Sequence, residues 1–242
     1  MDLVKSNIDN LTSLWQFVNR RAGAYVIGDV FDHGVIDYSD WPNKLWFINA
    51  PKQSDIDVAK KIITSSSIKI TVPYWEINGD DYRPLLERNG FVKVLEQVGM
   101  SCDLTKGDFL PSGIKLHKVK EKSGAQLWES LFEKSFNYRI HHKLLLRSYD
   151  EIEYLIAYDN ASPVGVALVY NSGEDLVGIH SMGIIPKMRR KGYAEKMMRS
   201  ILSDAIKKGY RYGTLQASAM GKGLYEKLGF EEQFLMANYA LS

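Results

Sequence analysis

The chain has 242 residues, 45% hydrophobic and 25% charged, with a formal net charge of +2, the balance of a folded globular protein rather than a disordered or fibrous one. Its apolar runs stop at about six residues, too short to span a membrane, and Cys102 is the only cysteine, which excludes an intramolecular disulfide and any multi-cysteine metal site. The length admits one large domain or two of about 110 to 130 residues.

Met1 to Asn10 carries Asp2, Lys5 and Asp9 and no apolar stretch of signal-peptide length, so the sequence predicts a cytoplasmic protein. In the first half, Leu45 to Asn49 reads as a strand, Asp55 to Thr64 as a helix and Ile68 to Val72 as a strand, and Leu85 to Phe91 as a short helix entering another strand. The turn-rich segment Thr105 to Gly113 follows, and a boundary there predicts domains at 1–110 and 111–242.

Beyond it, Ile114 to Val119 reads as a strand, and Leu127, Trp128, Leu131, Phe132 and Phe136 mark the apolar face of a helix starting at Ser123. A second short helix covers Ile140 to Ser148. Tyr154 to Tyr158 and Val164 to Tyr170 form a hairpin across Asp159-Asn160-Ala161-Ser162-Pro163, and Leu176 to Ile185 adds a strand ended by Pro186. From Ala194, the residues Met197, Met198, Ile201, Leu202, Ala205 and Ile206 give an amphipathic helix stopped by Gly209. A strand at Thr214 to Ala217, a helix at Lys222 to Leu228 and a strand at Phe230 to Leu241 complete the chain. This order predicts a mixed α/β (α+β) fold, a mixed sheet flanked by helices. The heptapeptide Leu85 to Phe91 also matches Leu224 to Phe230, with the same order of elements upstream of each, which points to an internal duplication.

Charge is uneven along the chain. Residues 1–111 carry 12 basic and 15 acidic side chains and residues 112–242 carry 19 and 14, with six of the 19 between Lys187 and Arg199. A basic, glycine-containing turn from a strand into a helix N-terminus offers unpaired N–H groups and the positive end of the helix dipole, a setting for phosphate. The glycine spacings of nucleoside triphosphatases and of Rossmann dinucleotide sites are absent. The concentration of charge at one loop, without interleaved exposed aromatics, argues against nucleic acid.

Arg189-x-x-Gly192-x-Ala194 after a strand ending in Pro186 resembles the pyrophosphate loop of the GNAT acetyltransferase superfamily, and Leu215 to Ser218 followed by Gly221 and Leu224 to Phe230 resembles its fifth strand, fourth helix and closing Gly-Phe. The resemblance covers about Gly113 to Ser242, and the domain before it resembles a degenerate partial copy. It implies acetyl-CoA or a related acyl-CoA as donor and direct transfer to an amine of a small molecule, amino acid or peptide. It implies further that main-chain groups of Arg189, Arg190, Lys191, Gly192, Tyr193 and Ala194 take the pyrophosphate. Met182, Gly183 and Ile184 would pair with pantetheine as an added strand, and Tyr225 matches the family's acid. Ser218 stands where the family often has asparagine, which leaves its pantetheine contact less defined.

For the base, the period-two rule puts Gly178, His180, Met182 and Ile184 on one strand face, so that His180 faces the cleft; the family's glutamate position is Gly178 here. His141 and His142, adjacent on a helix, would point about 100° apart and bind no metal together; no metal is expected. Tyr138 and Arg139 share their stretch, which resembles the variable acceptor wall. The first half has Pro51 to Asp57 in place of a phosphate loop, with no glycine and two carboxylates, and Leu86 in place of the tyrosine, so one acyl-CoA site per chain is expected, with Trp41, Trp46, Tyr74 and Trp75 as cleft lining or core. The alternative is a non-catalytic acyl-CoA-binding or partner-binding module. No membrane partner is expected, and the sequence is silent on the acceptor and on oligomeric state.

Overall fold

Asp2 opens the first helix by accepting the Lys5 N–H at 3.1 Å, and Gly23, at φ 75°, closes it. Between them α1 (Leu3–Ala22) buries Leu11, Leu14, Trp15 and Val18, the i, i+3, i+4, i+7 stripe that packs a helix onto a sheet. The computed structural model in which this is seen describes residues 1–76, 79–111, 113–173 and 175–242.

The first half continues with β1 (Tyr25–Val26), β2 (Phe31–Gly34), β3 (Lys44–Phe47), α2 (Gln53–Ser65), β4 (Val72–Tyr74), α3 (Arg83–Arg88) and β5 (Phe91–Asp103). The second half comprises β6 (Lys115–Lys118), α4 (Lys122–Phe136), α5 (His142–Ser148), β7 (Ile152–Asp159), β8 (Ser162–Asn171), β9 (Leu176–Ile184), α6 (Tyr193–Lys207), β10 (Tyr212–Ser218), α7 (Lys222–Lys227) and β11 (Glu231–Leu241). The mixed α/β architecture and nearly all expected elements are present. One strand is displaced: the apolar run Ile68 to Val72 is largely not strand, because only Thr71 bridges to Lys44, and the ladder forms at Val72–Tyr74 where β11 supplies a partner.

β1, β2 and β3 form a small antiparallel sheet, and the large sheet has the order β4-β11-β5-β10-β9-β8-β7-β6. The two halves therefore exchange strands. β5, from the first half, runs antiparallel between β10 and β11; β11, from the second, runs antiparallel between β5 and β4. The order strand, helix, strand, helix, strand of β3-α2-β4-α3-β5 recurs in β9-α6-β10-α7-β11. Apolar side chains fill both faces: Met100, Ile179, Met197, Ile201 and Phe230 lie between the sheet and α6 and α7. Leu14, Trp128, Phe132, Leu145 and Ile156 lie beneath α1, α4 and α5 on the other face. Ile56, Ala59, Leu86 and Tyr239 form the core of the first half.

Two local features position the site. β9 and β10 pair in parallel only at Tyr212–Leu176, Gly213–Val177 and Thr214–Gly178. Past Thr214 they part, while β10 stays bonded to β5 as far as Ser218 and β9 to β8 as far as Ile184. The result is a V-shaped opening between neighbouring strands, with the inner edge of β9 free of a strand partner from Ile179 onward. The second feature is a bulge: Ser181 sits at φ 51°, and the β8–β9 register shifts beside it.

Candidate active site

The bulge corrects the expected strand face. Val177 and Ile179 point to the α6 side, and so do Met182 and Ile184, whereas Gly178 and His180 meet Asn10 of α1 on the opposite side. One extra residue at Ser181 resets the alternation that the period-two rule assumes. His180 consequently does not share a face with Met182 and Ile184. It is 7% exposed, its Nε2–H donates to Asn10 Oδ1 at 2.9 Å, and Gln216 also hydrogen-bonds the ring. Burial pulls its pKa from 6.5 down to about 4, because a charged imidazole loses more on desolvation than a neutral one. A group so placed is a weak proton acceptor, closed off from solvent by α1.

The basic turn stands at the mouth of the V. Pro186–Met188 forms a single 3-10 turn, Arg190 and Gly192 adopt φ 60° and 78°, and α6 begins at Tyr193. The left-handed Gly192 is the last residue before the helix, and a Cβ there would meet nothing within 4 Å, so the space before the first-turn N–H groups is open. Those N–H groups have no carbonyl one turn back to accept them. Their side chains have separate tasks. Arg189 is spent on the protein itself, Nε donating to Ile184 O at 3.1 Å and Nη2 to Ser135 O at 2.8 Å, which pins the loop to β9 and to the end of α4. Arg190 and Lys191 are exposed, with Lys191 Nζ only 3.8 Å from Met188 Sδ. The Tyr193 hydroxyl donates to Asp159 Oδ2 at 2.5 Å, and Ala194 packs beside the α6–α7 core.

Across the mouth, α7 is tied to the first turn of α6 by Lys227 Nζ on Glu195 Oε2 at 2.7 Å. Tyr225 projects from α7 against the core that contains Met182 and Ala194, its ring edge-on to Phe230 at 5.9 Å. Its hydroxyl has no hydrogen-bond partner among the described residues, and burial pushes its pKa up to about 12. The phenol therefore stays protonated at neutral pH. Ser218 Oγ accepts the Gly221 N–H at 3.3 Å and so shapes the turn into α7. Gly183 is required by packing: a Cβ would fall 2.5 Å from the Phe136 ring. Met182, Gly183, Ile184, Arg189 to Ala194, Ser218 and Tyr225 are thus gathered around one opening, and His180 lies behind it.

One further expectation changes. His141 is the N-cap of α5 rather than a helical residue, so its ring stacks on His142 at 4.2 Å instead of pointing away. Glu129 accepts from His142 Nδ1 at 2.6 Å, and ligand-type atoms of Glu129, His141 and His142 lie within 4.8 Å of one another. His141 Nδ1 already accepts the Lys143 N–H at 3.1 Å, and Arg139 stands 3.7 Å from Glu129. Trp46, Tyr74 and Trp75 are core, at 1%, 3% and 5% exposure. What the sequence reading missed is α1 with Asn7 and Asn10, which reach the floor of the V through Gln216 and His180. The helical spacing of Leu11, Leu14, Trp15 and Val18 was the available signal.

Residues 150–232 match the acetyltransferase (GNAT) domain family. The whole chain superposes on a GCN5-related N-acetyltransferase from Kribbella flavida with a TM-score of 0.72 at 12% identity, over 97% of this chain and 95% of that one. A GCN5-related N-acetyltransferase-like protein from Streptococcus suis gives 0.60 at 12% identity over 99% and 98%. A tandem GNAT protein from the clavulanic acid biosynthesis pathway gives 0.59 at 12% identity over 87% and 77%. Identities this low speak for the fold alone: residues 150–232 match the GNAT acetyltransferase domain family, and the chain has the fold of these GNAT structures.

Proposed function

We propose that the protein transfers an acetyl group from acetyl-CoA directly to the amine of a small molecule, amino acid or peptide. The observation that carries this reading is the V between β9 and β10 opening onto an unobstructed helix N-terminus, with a protonated tyrosine on the adjoining helix. In this reading the N–H groups from Arg190 to Ala194 hold the pyrophosphate, with the dipole of α6 and the exposed Arg190 and Lys191 adding positive potential. The free edge of β9 at Met182 and Gly183 hydrogen-bonds the pantetheine amides as an added strand. The Ile184 carbonyl already accepts from Arg189 and contributes less.

The chemistry then needs a nucleophile, a polarised carbonyl and a proton for the leaving group. The neutral amine attacks the thioester carbon, the C–S bond breaks, the Tyr225 hydroxyl protonates the departing sulfur, the proton lost from the amine passes to solvent, and the tyrosinate regains a proton from solvent. Water at the mouth of the V is the acceptor of that proton, since His180 is buried and poorly basic.

The test is a screen of primary amines with the intact protein and acetyl-CoA, following release of free CoA thiol, with Tyr225→Phe alongside. Amine-dependent release that the variant loses supports the transferase. Tight acetyl-CoA binding with no amine-dependent release from any acceptor would identify a non-catalytic acyl-CoA-binding module instead.

A further inference from the structure

Strand β3 directs Lys44 and Trp46, two residues apart, to the face that α1 covers. Lys44 Nζ donates to Thr71 Oγ1 at 2.9 Å and Asn238 Oδ1 at 3.0 Å and lies 5.1 Å from the centre of the Trp15 ring. Both acceptors are neutral, and an ammonium has three N–H groups. Among the described residues no carboxylate pairs with it, and burial alone pulls its pKa down to about 8. Lys44 itself is half-buried, and a half-buried ammonium held only by neutral acceptors keeps capacity for an anion. On the same face the Trp46 Nε1–H is buried and has no acceptor among the described residues, while its ring stands 5.5 Å from Trp15, which in turn meets Trp75 at 6.4 Å. Lys44 is therefore the donor with capacity to spare at the edge of an aromatic core, and the chemistry that suits it is an oxyanion with an apolar stem.

This edge connects to the V. Asn238 Nδ2 donates to Gln97 Oε1 at 3.4 Å, Gln97 Nε2 to Gln216 O at 3.2 Å, and Gln216 Nε2 to Asn7 Oδ1 at 2.7 Å. Asn238 lies opposite Leu95 and Ser218 opposite Gln97, so Lys44's partner and the end of β10 occupy the same end of the sheet. β10 and β11 are separated by β5 alone, which is two strand spacings or ~10 Å. The helix gives a concordant span: Asn7 touches one end of the track and Trp15 the other, ~12 Å apart along α1.

Resting on the acetyl-transfer reading, we propose that Lys44 receives the carboxylate of the acceptor, so that the substrate is a small amine carrying its own carboxylate roughly 10 Å away. The amine enters the V and the apolar stem lies along the flank of α1.

The experiment uses the intact protein, acetyl-CoA and two matched series of acceptors: γ-aminobutyrate, ε-aminocaproate and ω-aminocaprylate against butylamine, hexylamine and octylamine. The expected result is a kcat/KM for the longer amino acids roughly 10- to 100-fold above that of the matched amines, the worth of a charged hydrogen-bonded contact. Lys44→Met should remove that preference through KM, leaving kcat and the neutral amines unaffected. Equal use of the two series, or a preference that survives Lys44→Met in a folded protein, overturns the proposal while leaving acetyl transfer standing. If no amine is acetylated, the transferase reading fails on its own, and the Lys44 site is then decided by titrating tryptophan fluorescence with ω-aminocaprylate and octylamine. Saturation by the former alone, lost in Lys44→Met, supports the carboxylate site; no saturable response overturns it. The wild-type comparison of the two series does not depend on the variant's folding.

Discussion

Asn10 of α1 and His180 of β9 meet at 2.9 Å across the sheet face, and the contact exists because residue 178 is glycine. A Cβ on Gly178 would lie 1.9 Å from Asn10 Oδ1 and 2.4 Å from His180 Nε2. The absence of one methyl group thus lets the first helix of the chain dock beside the splay of the second half.

Gly178→Ala should therefore destabilise the fold by about 1 to 3 kcal/mol, through overpacking and loss of a buried hydrogen bond. Urea denaturation checks this. A variant as stable as the wild type would show that α1 is not seated through this contact.

His180 predicts an acid-side stability loss with a definite sign. The unfolded chain takes up a proton near pH 6.5 and the folded one only near pH 4, so this contribution is complete above pH 6.5 and lost as the pH falls toward 4. The linked change is about 3 kcal/mol at most. In His180→Gln that component should vanish from denaturation curves taken between pH 7 and 4. The same burial predicts that the acidic limb of the pH–rate profile persists in the variant; its disappearance would restore His180 as the base.

Gly192→Val tests the phosphate loop. The site leaves room for the side chain, but the left-handed φ of 78° does not suit it. Acetyl-CoA binding should weaken by about 1 to 3 kcal/mol, from strain and from the branched group lying where the ligand approaches. Calorimetric titration reads the change, and unaltered affinity would place the pyrophosphate elsewhere.

Tyr225→Phe keeps the ring against Phe230 and removes the donor. Single-turnover acetyl transfer should slow by roughly 10²- to 10⁴-fold with acetyl-CoA affinity little changed. With the pKa raised to about 12, Tyr225 should impose no alkaline limb below about pH 11. A limb near pH 10 that vanishes in the variant would contradict this protonation state.

The legible parts of the molecule were those written in local patterns. The α6 stripe from Met197 to Ile206 and the hairpin around Asn160 appear close to where periodicity put them. So does the glycine-containing basic turn, whose backbone follows from Gly192. His180 was misread because a bulge is a non-local event: Ser181 carries no sequence mark of its left-handed backbone, and one such residue inverts the facing of all that follow. The displaced β4 has a similar origin, since its bounds depend on where β11 arrives from far along the chain. Arg189 is expected at the pyrophosphate through the resemblance of its loop, and only the positions of Ser135 and Ile184 show that its side chain also braces that loop.

The reciprocal insertion of β5 and β11 means that neither half can complete its own sheet alone. Severing the chain in the exposed stretch between Thr105 and Asp108 would give two fragments, each with a vacant strand position and each holding the piece that fills the other's. Such fragments should be aggregation-prone when expressed apart and should reassociate when mixed. The first half is on this account a folding partner of the second, because its last strand is the inner wall on which β10 is built.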